Sequence, residues 1–154
     1  MKESIERDLG AEALSGASSP ILIVDDDQGV RTVLSSLLSM IGFQVTQATN
    51  GHEALDLFSK ERFGVVLTDF QMPGMDGFTL ASNIKISSPK TPVIMITGSD
   101  QSIVQEKMRT GCVDSVLFKP FKLEDIHQSI MGALTGGFAF SLPEQDFGEA
   151  QRGE

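Results

Sequence analysis

An α/β protein built on one doubly wound, five-stranded parallel sheet is the fold class this sequence predicts. Five short apolar or β-branched runs alternate strictly with stretches whose apolar residues recur at helical spacing. The connections between them are short, and strand–helix alternation of this kind produces parallel neighbours joined by helical crossovers on both faces. The length of 154 residues and a hydrophobic content of 40% suit one domain with a continuous core.

The elements follow in order. Ile21-Leu22-Ile23-Val24 is a buried strand that ends in Asp25-Asp26-Asp27. Val30, Val33, Leu34, Leu37, Leu38 and Ile41 then mark a helix, with Gly42 placed to cap its end. Phe43–Gln47 alternates as a half-buried strand does. Asn50-Gly51 has the composition of a hairpin turn, but Ala54, Leu55 and Phe58 follow at helical spacing, so Asn50 reads as a helix cap. Val65–Thr68 is the third strand and leads to Asp69; Pro73-Gly74 suits the centre of a type II turn. A helix from about Gly77, capped by Asp76, carries Phe78, Leu80, Ala81 and Ile84. Val93–Thr97 is the fourth strand, and a polar helix is expected from about Asp100 to Arg109. Ser115–Phe118 is the fifth strand, broken by Lys119-Pro120, and Leu123, Ile126, Ile130, Met131 and Leu134 form the last stripe.

Composition divides the chain. Residues 1–19 and 135–154 are polar, and both read as flexible tails around a folded unit at 20–134. A minority reading gives Ile5, Leu9 and Ala13 a short helix, or docks Phe138, Phe140 and Leu142 on a neighbour. With 12 Lys+Arg against 21 Asp+Glu the net charge is −9, which lacks the footprint of a nucleic-acid binder and argues against an anionic membrane surface. No apolar run is long enough to cross a bilayer, and the acidic N-terminus is no signal peptide, so a cytoplasmic protein is expected, monomeric or weakly dimeric. The single cysteine, Cys112, excludes an intramolecular disulfide and a Cys-rich zinc site.

In an open parallel sheet, ligands bind beyond the carboxyl ends of the strands. The residues there are Asp25, Asp26 and Asp27 after the first strand, Asp69 after the third, Thr97 at the end of the fourth and Lys119 after the fifth. If the strand order is 2-1-3-4-5, the first and third strands are neighbours, and Asp25, Asp26 and Asp69 meet. Two carboxylates about 4 Å apart repel by roughly 4 kcal/mol at an effective dielectric near 20. Such a cluster calls for a cation, and oxygen ligands without His or Cys favour Mg2+, with Mn2+ as the substitute. A carboxylate-held metal beside a free Asp is a phosphoryl-transfer arrangement, in which Asp69 attacks phosphorus while Lys119 and Thr97 hold its oxygens.

At these motifs the chain resembles the receiver domain of bacterial two-component response regulators. The resemblance covers residues 20–134 and rests on Ile21-Leu22-Ile23-Val24-Asp25-Asp26-Asp27, on Leu67 to Gly77 around Asp69-Phe70-Gln71-Met72-Pro73-Gly74, on Ile96-Thr97-Gly98 and on Phe118-Lys119-Pro120-Phe121. It implies the flavodoxin-like receiver fold with strand order 2-1-3-4-5. It implies that Asp69 is the phosphoacceptor, receiving the phosphoryl group from a sensor histidine kinase or a histidine phosphotransfer protein. Asp26, Asp69 and the backbone carbonyl of Gln71 would bind Mg2+, Asp25 would act through metal-bound water, and Thr97 and Lys119 would contact the phosphoryl group. A cis peptide before Pro120, a tuning role for Gln71 and Ser99, and output through protein contacts on residues 100–134 also follow from it. Such a module is no enzyme beyond self-phosphorylation and autodephosphorylation. One departure stands out: Val116 occupies the position three before the lysine where the family usually has an aromatic switch residue, and the chain has no Tyr. The hydroxyl shift at Thr97 is expected to survive and the aromatic readout to be weakened or replaced, with Phe118 expected on the opposite strand face.

Plainer readings stand beside these. Asp25-Asp26-Asp27 is also what a strand exit followed by a helix cap looks like, and Asp27 is better explained so. Asp69 alone is an ordinary loop acid, and Lys119 an ordinary surface lysine. His52, His127 and Cys112 carry no chemistry. The alternative function is a haloacid-dehalogenase-type phosphatase with Asp25 as nucleophile and Asp27 as acid, although the chain lacks that family's later acidic motif. A receiver that binds partners without phosphate is the third reading.

Overall fold

The structure, a computed structural model, describes residues 20–98, 101–109 and 111–135. The expectations for residues 1–19 and 136–154, and for Ser99 and Asp100, lie outside the described residues. The elements in chain order are β1 (Ile21–Val24), α1 (Gln28–Met40), β2 (Val45–Ala48), α2 (Gly51–Lys60), β3 (Val65–Asp69), α3 (Gly77–Ser87), β4 (Val93–Thr97), α4 (Gln101–Met108), β5 (Ser115–Phe118) and α5 (Leu123–Thr135). All strand pairs are parallel and the order is β2-β1-β3-β4-β5.

Side-chain alternation along the strands builds two cores, one per face. Leu22, Val24, Val66, Met95 and Val116 pack with Ala54 of α2, Leu80, Ala81 and Ile84 of α3, and Val104 of α4. Ile21, Ile23, Leu67, Ile94, Ile96 and Leu117 pack on the other face with Leu34 and Leu38 of α1 and Ile126 and Ile130 of α5. Helices therefore cover both faces, which is why the central strands read as continuous apolar runs.

Helix ends are set by local chemistry. Asp27, Asn50 and Asp76 each accept the backbone N–H three residues on, at 3.1, 2.8 and 2.8 Å, and start α1, α2 and α3. The Glu53 carboxylate accepts both the N–H and the hydroxyl of Thr49 at 2.8 Å, and these two bonds lower its pKa from the ordinary value. The end of α1 is a Schellman motif: Gly42, at φ +101°, donates to the Ser39 carbonyl and Phe43 to that of Leu38. That motif corrects the second strand, expected from Phe43: its first residues belong to the helix cap, and the strand begins at Val45.

At the amino edge of the sheet, the Lys85 ammonium donates to the Asp114 carboxylate at 2.7 Å and to the Thr91 carbonyl at 2.8 Å. Asp114 also accepts the Val93 N–H at 2.8 Å, so α3, β4 and β5 are pinned together there. Among the described residues no helix is long and apolar enough to cross a membrane.

Candidate functional site

The carboxyl edge of the sheet gathers the residues that the strand order brings together. Val24 lies opposite Thr68 in register, so the residues that follow, Asp25 and Asp69, leave neighbouring strands side by side. One carboxylate oxygen each from Asp25, Asp26 and Asp69 lies within 4.8 Å of the others. Asp25 is 3% exposed, and its Oδ1 accepts the N–H of Asp27 at 2.9 Å. Asp26 is exposed.

Lys119 reaches the same point from β5. Its Nζ is 3.3 Å from Oδ1 of Asp69, and its N–H donates to the Thr97 carbonyl at 2.8 Å, which ties the tips of β4 and β5 together. The Lys119–Pro120 peptide is cis. Thr97 is buried at the end of β4, directly across from Phe118 in register. Gln71 is exposed in the loop after β3, whose turn has Gly74 at φ +82°, as the second central position of a type II turn requires. Gly77 closes that loop: its N–H donates to the Phe70 carbonyl at 2.8 Å, and a Cβ there would run into the carbonyl oxygen of Asp69.

Burial raises the pKa of Asp69 above the ordinary carboxylate value, against the opposing pull of Lys119. Burial likewise raises that of Asp25, with the charges of Asp69 and Asp26 adding to the effect. Three carboxylates face one ammonium, which leaves uncompensated negative charge. The donor set is all hard oxygen, so the site fits a small divalent cation. His52 and His127 lie exposed on α2 and α5, and Cys112 lies in the α4–β5 connection against Ser82, all apart from the cluster.

Two features escaped sequence reasoning. The Arg31 guanidinium donates to the Asp25 carbonyl at 2.7 Å and to Oε1 of Gln47 at 3.2 Å. Nothing local distinguishes that arginine from any other on an exposed helix turn; the contact exists only once α1 folds back over β1 and β2. The second is an apolar groove of about 520 Å³ beside Lys119, lined by Val30, Val33, Leu34, Pro120 and Phe121. One expectation is corrected: Phe118 shares the face and the core of Val116, and Leu117 takes the other. Residues two apart in a strand point the same way.

A 2-1-3-4-5 parallel sheet with an acidic cluster and a lysine at its carboxyl edge defines the class to which known proteins can be compared. A family model described as response regulator receiver domain matches residues 21–131. The chain therefore belongs to the response regulator receiver domain family. It is similar to sporulation initiation phosphotransferase F of Bacillus subtilis, at 36% identity over 111 residues, which is 71% of this chain and 89% of that protein. It is 38% identical over 119 residues to regulatory protein AtoC of Escherichia coli, across 77% of this chain but 26% of the relative. The chain thus spans nearly all of the first relative and about a quarter of the second. Among solved structures, chemotaxis protein CheY4 of Vibrio cholerae aligns with a TM-score of 0.71 at 29% identity, over 75% of this chain and 98% of that one. Response regulator TrrA of Thermotoga maritima, solved in complex with Mg(2+)-BeF, aligns with a TM-score of 0.69 at 25% identity, over 75% and 98% of the two chains.

Proposed function

We propose that this receiver domain is a signalling switch that takes a phosphoryl group onto Asp69 from a sensor histidine kinase or a histidine phosphotransfer protein. The observation that carries the reading is the convergence of three carboxylates beside an ammonium 3.3 Å from Asp69. An Oδ of Asp69 attacks phosphorus, the Oδ–P bond forms, the P–N bond to the donor imidazole breaks, and the imidazole keeps the electron pair. Lys119 holds one phosphoryl oxygen by charge and Thr97 another by its hydroxyl. Asp25, Asp26, Asp69 and the Gln71 carbonyl would hold Mg2+, or Mn2+ in its place, which when bound offsets the negative charge between acceptor and donor. Water attack on the acyl phosphate returns aspartate and phosphate, so turnover is limited to self-phosphorylation and autodephosphorylation.

Asp69, not Asp25, is the nucleophile in this reading. Asp25 is buried, whereas the Asp69 side chain is 12% exposed and lies beside Lys119. The groove past Lys119 supplies an apolar landing surface for the donor protein, with Val33 57% exposed at its rim. The response then passes to a protein partner through residues 100–134, in the cytoplasm, with 20–134 as the working unit. The domain match at 21–131 supports that unit.

The test is mass spectrometry after acetyl phosphate, with and without Mg2+. One added phosphoryl group that needs Mg2+ and disappears in Asp69→Asn is the expected result. An unmodified wild type, or modification that persists in Asp69→Asn, overturns the reading.

A further inference from the structure

The strand exit that carries Asp25 and Asp26 is held from several sides. The Asp25 N–H donates to the Ala48 carbonyl at 3.2 Å, and the Asp25 carboxylate accepts the Asp27 N–H at 2.9 Å. The remaining backbone group is the Asp25 carbonyl, which begins the peptide leading to Asp26. The β1 strand ends at Val24, and Asp25 is buried, so that carbonyl needs a partner. Nη1 of Arg31 donates to it at 2.7 Å, a short charge-assisted bond, while Nε donates to Gln47 on β2 at 3.2 Å. One guanidinium therefore joins α1, the end of β1 and β2.

We infer that Arg31 is a positioning residue for the cation-binding carboxylates: it fixes the Asp25–Asp26 peptide, and through it the angle at which the Asp26 carboxylate enters the cluster. The inference rests on the reading of that cluster as a divalent-cation site. Two physical effects of Arg31 oppose each other, which makes the sign of the outcome informative. Through space, the guanidinium repels a cation, and its removal tightens binding. Through the backbone, its removal frees the strand exit and loosens binding, as loss of a group that orients a ligand does, by about tenfold or more. The 2.7 Å bond makes the second effect dominant.

The experiment is Mn2+ titration of the full chain followed by the electron paramagnetic resonance signal of free Mn2+, with melting temperature recorded in parallel. Arg31→Met is expected to weaken Mn2+ binding by about tenfold, and Arg31→Lys, whose single ammonium can still meet the carbonyl, to recover part of it. In an Asp26→Asn background, Arg31→Met is expected to add no further loss. Gln47→Ala, which leaves the carbonyl bond and removes only the second arm, is expected to give a smaller loss in the same direction, and serves should Arg31→Met not fold. Unchanged or tighter Mn2+ binding, a lower melting temperature alone, or a loss that adds fully to that of Asp26→Asn overturns the inference. A wild type that binds no Mn2+ overturns the reading of the site itself.

Discussion

The carboxyl group of Asp69 holds its proton more tightly in the folded chain than in the unfolded one, because burial outweighs the pull of Lys119. Folding therefore takes up protons between the two pKa values. The contribution of this group is fully present below the unfolded value and is lost as pH rises through the folded one. Asp25 acts in the same direction. Asp69→Asn is accordingly expected to raise the melting temperature of the cation-free protein at neutral pH, and to leave it unchanged at a pH below the ordinary carboxylate value. Thermal denaturation followed by far-ultraviolet circular dichroism at the two pH values checks this. Mg2+ is expected to stabilise the wild type by mass action and to lose that effect in Asp69→Asn. Gly77 belongs to the same scale. Its missing Cβ makes room for the Asp69 carbonyl, so Gly77→Ala must displace the backbone that carries Asp69, the proposed acceptor. A loss of about 1–3 kcal/mol in chemical denaturation is expected, with slower labelling by acetyl phosphate.

At the scale of elements, the two edges of the sheet carry different duties. The amino edge is a structural pin: Lys85 and Asp114 are 16% and 29% exposed, and Asp114 also satisfies the Val93 N–H. Asp114→Ala leaves that N–H and a half-buried ammonium without their partner, which costs about 2–3 kcal/mol. Because the pin is at the far end of β4 and β5 from Lys119, labelling of the folded fraction by acetyl phosphate is expected to keep its wild-type rate. Asn50→Ala removes the cap of α2 and is expected to cost about 1 kcal/mol, read from the denaturant midpoint. The face of β5 toward α4 carries Val116, fully buried, and Phe118, partly buried. The aromatic ring on that face thus stands two residues later than the family pattern, directly across from Thr97.

Among the described residues an acidic pocket lies beside an apolar groove, and the proposed function gives chemistry to the first and recognition to the second. Acetyl phosphate needs only the pocket, whereas a protein donor also needs a surface to dock on. Val33→Asp, in the groove and half exposed before substitution, places a charge on that surface without touching the cluster. Phosphotransfer from a histidine-phosphorylated donor is expected to fall by about tenfold, the effect of about 1.4 kcal/mol, while acetyl phosphate labels at the wild-type rate. Equal losses with both donors would place Val33 in the folding of the site rather than in docking.

Much of this architecture was readable from residue order, because periodicity and capping act over a few residues. Alternation of strands and helices, Asp27, Asn50 and Asp76 as caps, Gly42 and the turn at Gly74 all depend on neighbours close in the chain. Asp25, Asp26, Asp69, Thr97 and Lys119 could be named for the same reason, since strand ends are local features and parallel strands share one carboxyl edge, whereas Gln71, past the end of β3, came from resemblance. The strand order itself came from resemblance, for spacing alone leaves several orders open. Contacts between distant segments were not readable. The Arg31 bond to the Asp25 carbonyl, the Lys85–Asp114 pin and the groove between α1 and Phe121 join residues that meet only after helices pack on the sheet. Packing chose the two polar contacts because buried polar groups must find partners wherever the chain brings one within reach, whereas the groove is apolar surface left where α1 meets Pro120 and Phe121.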